Sequence, residues 1–576
     1  MVFLPGPELP KLPEIPDSIS LDQFLFDEKF GRHSVRSSRD PFTCGVTGSS
    51  YTTVEVASRV DHLARAVGKR LGFKASEGTE WDRVVCIYSQ NSIDYMTATS
   101  SVHRLCGIVT PASATHSVPE LENQLRSSGA VAIFTCVSLY GNALKAAKAA
   151  NISKDRVFVL RVAGEVNPPN ITSVDDLIVE GKRLPLLEQQ TWKTGQGKRQ
   201  TAYLCYSSGT SGLPKAVMVS HYNLIANILQ VTALESVGRK SLGVDTQVAL
   251  GVLPFSHIYG ITIISLLAVF RGDQIIVLPK FELNSLLQAV QTFKIQQLNI
   301  VPPILVQMIS NALQCAKYDL SSIRLLYSGA APLGKETVDE LKKIYPKWYV
   351  TQGYGLTEAS PCICTTVETD RLDGSSGAIL PGCRVKLIDA DGNEVNEYET
   401  RGQVLFQSPS VVLGYLNNER ANAETFIWDD EGRWLVTGDE VVIRKSAQGN
   451  EHIVVVDRIK ELIKVKGHQV APAELEAHIL TQPFVQDCAV IPVWDARSGE
   501  RPKAYVVKSV EAKGKSDDVI ASAICKHVED HKARHKWLRG GVEFIDKIPK
   551  SPSGKILRRV LKDAETQRRK KNAAKL

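Results

Sequence analysis

The sequence contains no apolar run long enough to cross a membrane. The longest such run, Ile261–Phe270, has ten residues, whereas a transmembrane helix needs about 20. A secretory leader is also missing, because the first sixteen residues hold five prolines and two glutamates instead of an apolar stretch behind positive charge. We therefore expect a soluble intracellular protein without a membrane span.

Cysteine spacings give no sign of a structural zinc site or of a disulfide framework. The eleven cysteines are scattered and odd in number, and Cys362 and Cys364 form the only close pair. That spacing is unpromising for zinc. We expect reduced thiols, in agreement with an intracellular location.

The folded part of the chain carries no excess of positive charge. The net charge is +7, and residues 555–576 hold nine basic and two acidic residues, which accounts for all of it. A nucleic-acid-binding protein carries such a field on a folded face, whereas a charge run is usually solvated. We therefore expect no nucleic-acid partner.

Hydrophobic patterning predicts an α/β fold for the first two thirds of the chain. Apolar residues at helical spacing over 56–71 predict a helix. Further along, short apolar runs alternate with helical segments such as Leu283–Phe293, which favours a parallel sheet. The predicted strands are Val84–Tyr88, Val131–Thr135, Val157–Leu160, Val248–Leu253, Gln274–Leu278, Leu298–Val301 and Ile323–Tyr327.

The pattern changes near residue 380, where the strand-like runs become short and turn-rich. The chain of 576 residues is long enough for about three or four domains. The charged segment Asp457–Gly467 precedes a last α+β piece, so we place a boundary there. The predicted units are 1–458, with a β-rich subdomain at about 380–456, and 459–576. The strands predicted in the β-rich subdomain are Val385–Ile388, Gly402–Gln407, Trp434–Val436 and Val441–Ile443.

The strongest local signal is the segment Tyr206–Lys215, YSSGTSGLPK. Small residues let backbone N–H groups approach an anion closely, and hydroxyls add further donors. The segment follows a predicted strand, Thr201–Cys205, and lacks the Walker pattern. We predict a phosphate-binding loop, and its candidate ligands are Ser207, Ser208, Gly209, Thr210, Ser211, Gly212 and Lys215.

The motifs resemble those of the adenylate-forming (AMP-binding) superfamily of acyl-CoA synthetases, adenylation domains and beetle luciferases. The likeness covers roughly residues 50–560, and the closest subgroup is the 4-coumarate–CoA ligase-like enzymes. Besides the phosphate loop, the motifs occur in the family's order: Pro254–Tyr259, Ser328–Leu333, Gln352–Glu358, Thr437–Asp439, Asp457–Arg458 with Lys464–Gly467, and Pro549–Lys555.

This resemblance implies a fold and a nucleotide site. The fold is a large N-terminal domain of layered α/β sheets with a β-rich subdomain, followed by a small mobile α+β C-terminal domain. Tyr354 corresponds to the aromatic residue that stacks on adenine, Asp439 and Arg458 to the ribose contacts, and Glu358 to the Mg²⁺ ligand. Further implied ATP or AMP contacts are Gly329, Ala330, Ala331, Gln352, Gly353, Gly355, Thr357 and Lys555.

The resemblance also implies two chemical steps. Lys555 is expected to stabilise the charge that spreads when a carboxylate attacks the α-phosphate. The small domain then swings about Lys460 and exchanges Lys555 for Lys464. Lys466 and Gly467 are expected to bind coenzyme A, and His257 and Thr357 complete the implied catalytic set.

The acyl pocket is the least specific part of the resemblance. Its implied lining is His257, Tyr259, Gly329, Gly355, Pro361 and Cys362. The two glycines suggest a wide cavity floor, which suits an aromatic ring or an alkyl chain equally. Departures at Ser256, Gly402–Val404 and Ala112–Ser117 argue against importing 4-coumarate as the substrate.

The last three residues, Ala574-Lys575-Leu576, resemble the Ser-Lys-Leu address that the peroxisomal import receptor reads. We therefore expect that receptor as a partner and the peroxisome as the location.

The sequence thus predicts an acid–thiol ligase that uses ATP, Mg²⁺ and coenzyme A. Two alternatives stay open: a luciferase-like monooxygenase, which would emit light or take up oxygen, and an adenylation enzyme that loads a separate carrier protein. A non-catalytic nucleotide-binding protein is disfavoured, since Lys215, Glu358, Asp439 and Lys555 are all present.

Overall fold

The computed structural model describes residues 1–207, 214–331, 333–466, 468–495, 499–551 and 554–573, apart from the side chains of Glu336 and of residues 569–573. Residues 208–212 of the predicted phosphate loop, Gly467 and the tripeptide 574–576 lie outside the described residues. Within the described part of the chain, no helix is both long and apolar enough to span a bilayer.

The first sheet is mostly parallel and buried on both faces, as the continuous apolar runs predict. Its strands pair in parallel except at one edge, where two antiparallel neighbours join. In spatial order they are Gly414–Tyr415, Lys215–Ser220, Thr201–Ser207, Ile108–Ala112, Val84–Tyr88, Ala132–Thr135 and Val157–Val159.

The second sheet joins a parallel half to an antiparallel half. Its parallel strands, in spatial order, are Phe42–Cys44, Gln274–Val277, Val248–Gly251, Gln297–Ile300, Leu325–Ser328 and Tyr349–Gly355. The antiparallel half continues with Cys362–Thr365, Ala378–Ile379, Glu451–Arg458, Gly432–Lys445, Arg401–Gln407 and Arg384–Ile388. Ser50–Tyr51 and Phe426–Asp429 pair at Phe42–Cys44 and Gly432–Lys445. The predicted β-rich segment is therefore hydrogen-bonded directly onto the parallel sheet.

A small third sheet forms the centre of the C-terminal part. In spatial order its strands are His468–Val470, Ile463–Val465, Gly499–Lys508 and Val485–Asp495, and Val542–Phe544 pairs with Gly499–Lys508. This sheet has a core of its own, which includes Ile463, Leu475 and Ile520. The predicted fold class, a large N-terminal part followed by a small α+β part, is confirmed.

Helices cover the sheets, and their ends follow ordinary capping rules. The helix predicted over 56–71 spans Thr53–Leu71, because Thr52 and Glu55 form a capping box and Gly72 takes a left-handed conformation. The helices are Leu21–Phe26, Thr53–Leu71, Tyr95–Arg104, Val118–Ser128, Tyr140–Ala149, Val174–Gly181, Gln196–Arg199, His221–Ser241, Leu267–Arg271, Leu283–Phe293, Pro302–Ser310, Ala312–Cys315, Lys335–Ile344, Glu419–Thr425, Pro472–Ile479, Asp517–His531 and Arg558–Ala573, with a π-helix at Gly260–Leu266.

Most predicted strands occur with bounds shifted by a few residues, and two of them are one strand in the structure. Trp434–Val436 and Val441–Ile443 belong to a single strand, Gly432–Lys445. Gly438 has a φ of 76° and the register shifts between Glu440 and Val441, so a bulge bends the strand without ending it. This bulge explains why the sequence around Gly438 resembles that of a turn.

Candidate active site

The candidate site lies where neighbouring parallel strands of the second sheet end. Carboxyl ends of parallel strands meet at one edge, where ligands commonly bind. The segments that follow or end these strands are the motif Pro254–Tyr259, Val301, Gly329–Ala331 and Gly353–Gly355. Four separate stretches of sequence therefore converge on one edge of the sheet.

Asp439 forms the centre of one wall of this site. Its Oδ2 accepts a hydrogen bond from the Tyr354 hydroxyl at 2.8 Å, and its Oδ1 lies 3.3 Å from Nε of Arg458. Arg458 is also the cross-strand partner of Asp439. Burial raises the pKa of Asp439, and the nearby Arg458 charge opposes that rise. The three predicted adenosine contacts are thus held together.

Lys555 reaches this wall from the C-terminal part of the chain. Its backbone N–H donates to Ser551 Oγ at 3.1 Å, which closes a turn. Gly554 packs so closely on Val301 that an added Cβ would lie 3.0 Å from its Cγ2. Burial, and next the positive charge of Arg458, lower the pKa of Lys555 to about 8, while Asp439 opposes this shift. The Lys555 ammonium therefore lies within electrostatic reach of Asp439.

His257 faces the same space as a neutral imidazole. Its Nδ1 accepts a hydrogen bond from the backbone N–H of Tyr259 at 3.2 Å. Burial, followed by the charge of Lys555, lowers the pKa of His257 to about 4. A histidine in this state stays uncharged at neutral pH.

Lys215 and Glu358 are joined through Tyr415. The Tyr415 hydroxyl donates to Glu358 Oε1 at 2.8 Å, and Lys215 Nζ lies 4.6 Å from the centre of the Tyr415 ring. Glu358 is buried, and the partly buried Thr357 precedes it in a short 3₁₀ turn. The predicted phosphate and metal residues are therefore neighbours.

Of the predicted phosphate loop, the structure describes only the two ends. Ser207 ends one strand and Lys215 begins the next, and the two residues are cross-strand partners in an antiparallel hairpin. Ser208, Gly209, Thr210, Ser211 and Gly212 lie outside the described residues. The hairpin brings both ends of the loop to the Tyr415 side of the site.

Backbone geometry shapes the segment between the nucleotide and acyl regions. Gln352 Oε1 accepts the backbone N–H of Leu333 at 3.2 Å, which ties the Gly329–Ala331 segment to the neighbouring strand. Ala330 has a φ of 67°, a strained left-handed value for a residue with a side chain. An added Cβ at Gly353 would lie 2.3 Å from the Tyr327 hydroxyl. A side chain at position 353 would therefore displace Tyr327.

Two tyrosines and Cys362 lie on the side of the site where the acyl group is expected to bind. The Tyr259 hydroxyl lies 3.4 Å from the carbonyl oxygen of Tyr327, and Gly329 packs on the Tyr259 ring. The side-chain amide of Asn227 bonds both backbone groups of Cys362, at 3.1 and 2.8 Å. Pro361 is buried beside Cys362. The amide clamp fixes the strand that carries Cys362.

For Gly355, the structure gives a different reason than a wide cavity floor. An added Cβ at Gly355 would lie 1.9 Å from the carbonyl oxygen of Pro361, and one at Gly329 would touch the Tyr259 ring at 3.5 Å. Gly355 is therefore required by close backbone approach and not by empty space.

An ion-pair network connects the Lys555 turn to the predicted hinge. Arg558 bonds Glu461 at 2.5 Å and Glu476 at 2.6 Å, and its Nε donates to the carbonyl of Val490 at 3.2 Å. Glu461 directly follows Lys460, which is exposed. The turn and the hinge are thus tied through one buried guanidinium.

The predicted residues of the second step lie on a separate surface. Lys464 and Lys466 are exposed on the hairpin formed by Ile463–Val465 and His468–Val470. The backbone N–H of Lys464 donates to Glu500 at 2.8 Å. In this arrangement Lys555, and not Lys464, lies beside Asp439 and His257.

Sequence reasoning missed three residues that organise the site, namely Asn227, Tyr415 and Arg558. Tyr415 belongs to a two-residue strand, and Asn227 belongs to a helix that is buried almost all round. The sequence around these residues therefore shows no recognisable motif. Arg558 follows Lys555 by three residues, but it was counted only as part of the basic tail.

Two family models together match most of the chain. Residues 32–416 match the model of the AMP-binding enzyme family, and residues 474–555 match that of the AMP-binding enzyme C-terminal domain. The acyl-CoA ligase easD of Emericella nidulans is 38% identical over 98% of this chain and 100% of its own length. The acyl-CoA ligase AKT1 of Alternaria alternata is 37% identical over 98% of this chain and 97% of its own.

Solved structures show the same fold. The anthranilate CoA ligase AuaEII, in complex with anthranoyl-AMP, has a TM-score of 0.78 at 21% identity and covers 96% of this chain and 98% of its own. The o-succinylbenzoate CoA synthetase MenE of Bacillus subtilis, with its acyl-adenylate, has a TM-score of 0.72 at 22% identity and covers 95% and 98%.

Proposed function

Because the chain belongs to the AMP-binding enzyme family and is an acid–thiol ligase, we propose that the cleft of Asp439, Lys555 and His257 is where it activates its acid. The observation that carries the proposal is the convergence of these three residues. Asp439 and Lys555 are more than a hundred positions apart in the chain, yet their charges interact inside one buried cleft.

In the first step, a carboxylate oxygen of the acid attacks the α-phosphorus of ATP. A bond forms between that oxygen and phosphorus, and pyrophosphate leaves with the electron pair of the broken P–O bond. Asp439 accepts hydrogen bonds from the ribose hydroxyls, and the Tyr354 ring contacts the adenine. The Lys555 ammonium stabilises the negative charge that spreads over the reacting oxygens without giving up its proton.

In the second step, the thiol of coenzyme A attacks the carbonyl carbon of the acyl-adenylate. A carbon–sulfur bond forms, AMP leaves with the oxygen that joined it to the acid, and the thiol proton is released. We propose that the hairpin with Lys464 and Lys466 replaces the Lys555 turn at the site for this step, by rotation about Lys460. Exposure of both lysines leaves them available to the phosphates of coenzyme A.

Glu358 fits the binding of a divalent cation to the ATP phosphates. It is a buried carboxylate, its Oε1 is oriented by the Tyr415 hydroxyl, and Lys215 lies over the face of the same ring. Mg²⁺ prefers carboxylate oxygens together with phosphate oxygens. Bound there, Mg²⁺ would neutralise charge on the departing pyrophosphate.

Replacing Glu358 by glutamine is expected to raise the Mg²⁺ concentration for half-maximal adenylation about tenfold. Glutamine keeps an oxygen that can accept from Tyr415 but loses the negative charge. Pyrophosphate release measured against Mg²⁺ at fixed ATP checks this. Tyr415→Phe is the matched control, since it removes only the orienting hydroxyl and should shift the requirement less. An unchanged Mg²⁺ requirement in Glu358→Gln would contradict the assignment.

The acid is proposed to be one whose body packs against aromatic rings. Tyr259 and Tyr327 lie with ring centres 6.2 Å apart, and Cys362 closes the same region. This lining suits aromatic or unsaturated acyl groups, and it also admits fatty acids.

The proposed function is tested by a panel of fatty, arylacetic and cinnamic acids with ATP and Mg²⁺, with and without coenzyme A. We expect at least one acid to give pyrophosphate and an acyl-adenylate without coenzyme A, and an acyl-CoA thioester with it. Light emission or oxygen uptake in place of a thioester would favour a monooxygenase. Adenylate formation without transfer to coenzyme A would favour loading of a carrier protein.

We further propose a peroxisomal location on the basis of the terminal tripeptide. Deleting residues 574–576 from a chain with a fluorescent protein fused at its N-terminus is expected to move the fluorescence from peroxisomes to the cytosol, with ligase activity retained. Replacing only Lys575 by glutamate serves as the matched variant. Unchanged localisation of the deletion variant would refute the proposal.

A further inference from the structure

Three histidines of the C-terminal part meet between two helices. His478 lies on Pro472–Ile479, and His527 and His531 lie on Asp517–His531. One ring nitrogen from each residue lies within 4.8 Å of the other two. His478 is buried, His527 is half-buried and His531 is exposed, so solvent reaches the group at His531.

The spacing brings the rings together before any ligand is considered. His527 and His531 are four residues apart and so share one face of their helix. The ring of His478 stacks on His527 with centres 4.3 Å apart, and His531 lies 5.1 Å from His527 and 5.3 Å from His478. Each ring therefore contacts both others.

Hydrogen bonds hold these rings in place. The backbone carbonyl of His527 accepts from His478 Nε2 at 3.1 Å and from His531 Nδ1 at 2.9 Å. The Thr481 hydroxyl donates to the carbonyl of His478 at 2.8 Å, so it accepts from His527 Nε2 at 2.9 Å. His478 and His531 therefore direct one nitrogen each at the same carbonyl oxygen, which keeps the rings together.

This cluster is separate from the chemistry of Lys555. Glu476, on the same helix as His478, bonds Arg558 at 2.6 Å. Residues two positions apart on a helix point in nearly opposite directions. The His478 side of the helix therefore faces away from the side tied to the Lys555 turn.

We propose that His478, His527 and His531 form a binding site for a divalent transition-metal ion of the zinc type, which links the two helices of the C-terminal domain. Imidazole is a preferred ligand of Zn²⁺, Cu²⁺ and Ni²⁺. Three histidines with water as a fourth ligand make a tetrahedral site. Metal–nitrogen bonds of about 2.0–2.1 Å require the nitrogens to approach one another, so the rings must rotate out of their stack. The exposed side of the cluster leaves room for the water.

The test uses the full chain, stripped of metal with a chelator, in the absence of nucleotide so that no phosphate competes. Co²⁺ is added, and visible absorption is recorded. We expect the strong absorption of tetrahedral Co²⁺ to saturate at one ion per chain and to disappear when Zn²⁺ is added. Zn²⁺ should also raise the melting temperature by about 2–5 °C. Absence of this absorption together with no Zn²⁺ shift would overturn the proposal.

Matched variants locate the ion. His531→Gln changes an exposed residue and should fold normally, yet lose the Co²⁺ absorption and the Zn²⁺ shift, and His527→Gln should do the same. His535→Gln is the control, because His535 stacks with His468 at 4.4 Å in a separate pair. It should bind Co²⁺ as the unmodified chain does. Equal Co²⁺ binding by His531→Gln and the unmodified chain would show that the ion binds elsewhere.

Discussion

Replacing Lys555 by alanine is expected to lower acyl-adenylate formation by about 10²–10³-fold, the usual weight of one fixed group that stabilises transition-state charge. ATP binding should change little, because the proposed adenosine contacts are Asp439, Tyr354 and Arg458. The rate of the first step, measured as pyrophosphate release in single-turnover experiments, checks the loss. Equilibrium binding of ATP checks that the cleft is intact.

The matched variant is Lys464→Ala, since both lysines belong to the C-terminal part but lie on different surfaces. It should leave adenylation near the unmodified rate and slow the transfer of a preformed acyl-adenylate to coenzyme A. A Lys555→Ala enzyme that makes acyl-adenylate at the normal rate would remove Lys555 from the mechanism.

The charge of Lys555 gives this expectation a pH dependence. Its pKa is lowered to about 8 by burial and by Arg458, and only the protonated form supplies positive charge. The kcat/KM for adenylation should therefore be near its maximum at about one pH unit below 8, fall to about half near pH 8, and fall further as the pH rises. Lys555→Arg, which stays charged, should lack that fall even though its longer group lowers the rate. Circular dichroism across the same pH range separates this effect from unfolding.

Replacing Asp439 by alanine is expected to weaken ATP binding by about 10- to 100-fold. Hydrogen bonds to a charged group contribute about 1.5–3 kcal/mol, and Asp439 offers two carboxylate oxygens to the ribose. The substitution also leaves Arg458 without its partner at 3.3 Å. Isothermal titration with ATP in the absence of acid measures the change directly.

Tyr354 supplies the matched variants for Asp439. Tyr354→Phe loses only the hydroxyl that donates to Asp439 at 2.8 Å, and should weaken ATP binding only slightly. Tyr354→Ala also loses the ring and should weaken it as strongly as Asp439→Ala. If Asp439→Ala bound ATP as tightly as the unmodified chain, the ribose assignment would be wrong.

Much of the fold could be predicted because short buried strands have a strong apolar signal. Val84–Tyr88 and the helix Leu283–Phe293 occur with the bounds that the pattern indicates. The first forty-five residues look irregular and proline-rich, yet Phe3 is buried and pairs with Val385. Such a contact over nearly 400 positions depends on tertiary packing, which local pattern does not contain.

The residues of the candidate site were likewise predictable only in part. Motif order identified Asp439, Lys555 and Tyr354, and the structure brings these three together. Tyr415 and Arg558 act through contacts with Glu358 and Glu461 that are made only after folding. Gly355 shows a case in which the sequence suggested the wrong reason. The absence of a side chain there suggested open space, whereas in the structure the carbonyl oxygen of Pro361 leaves no room for a Cβ.

The most direct measurement follows the oxygen atoms of the acid. An accepted acid labelled with ¹⁸O in its carboxylate is turned over with ATP and coenzyme A, and the AMP is analysed by mass spectrometry. Attack of the carboxylate on the α-phosphorus in this cleft transfers one ¹⁸O atom to each AMP formed. AMP without the label would contradict the account, because the acid would then have been activated without ever binding to that phosphorus.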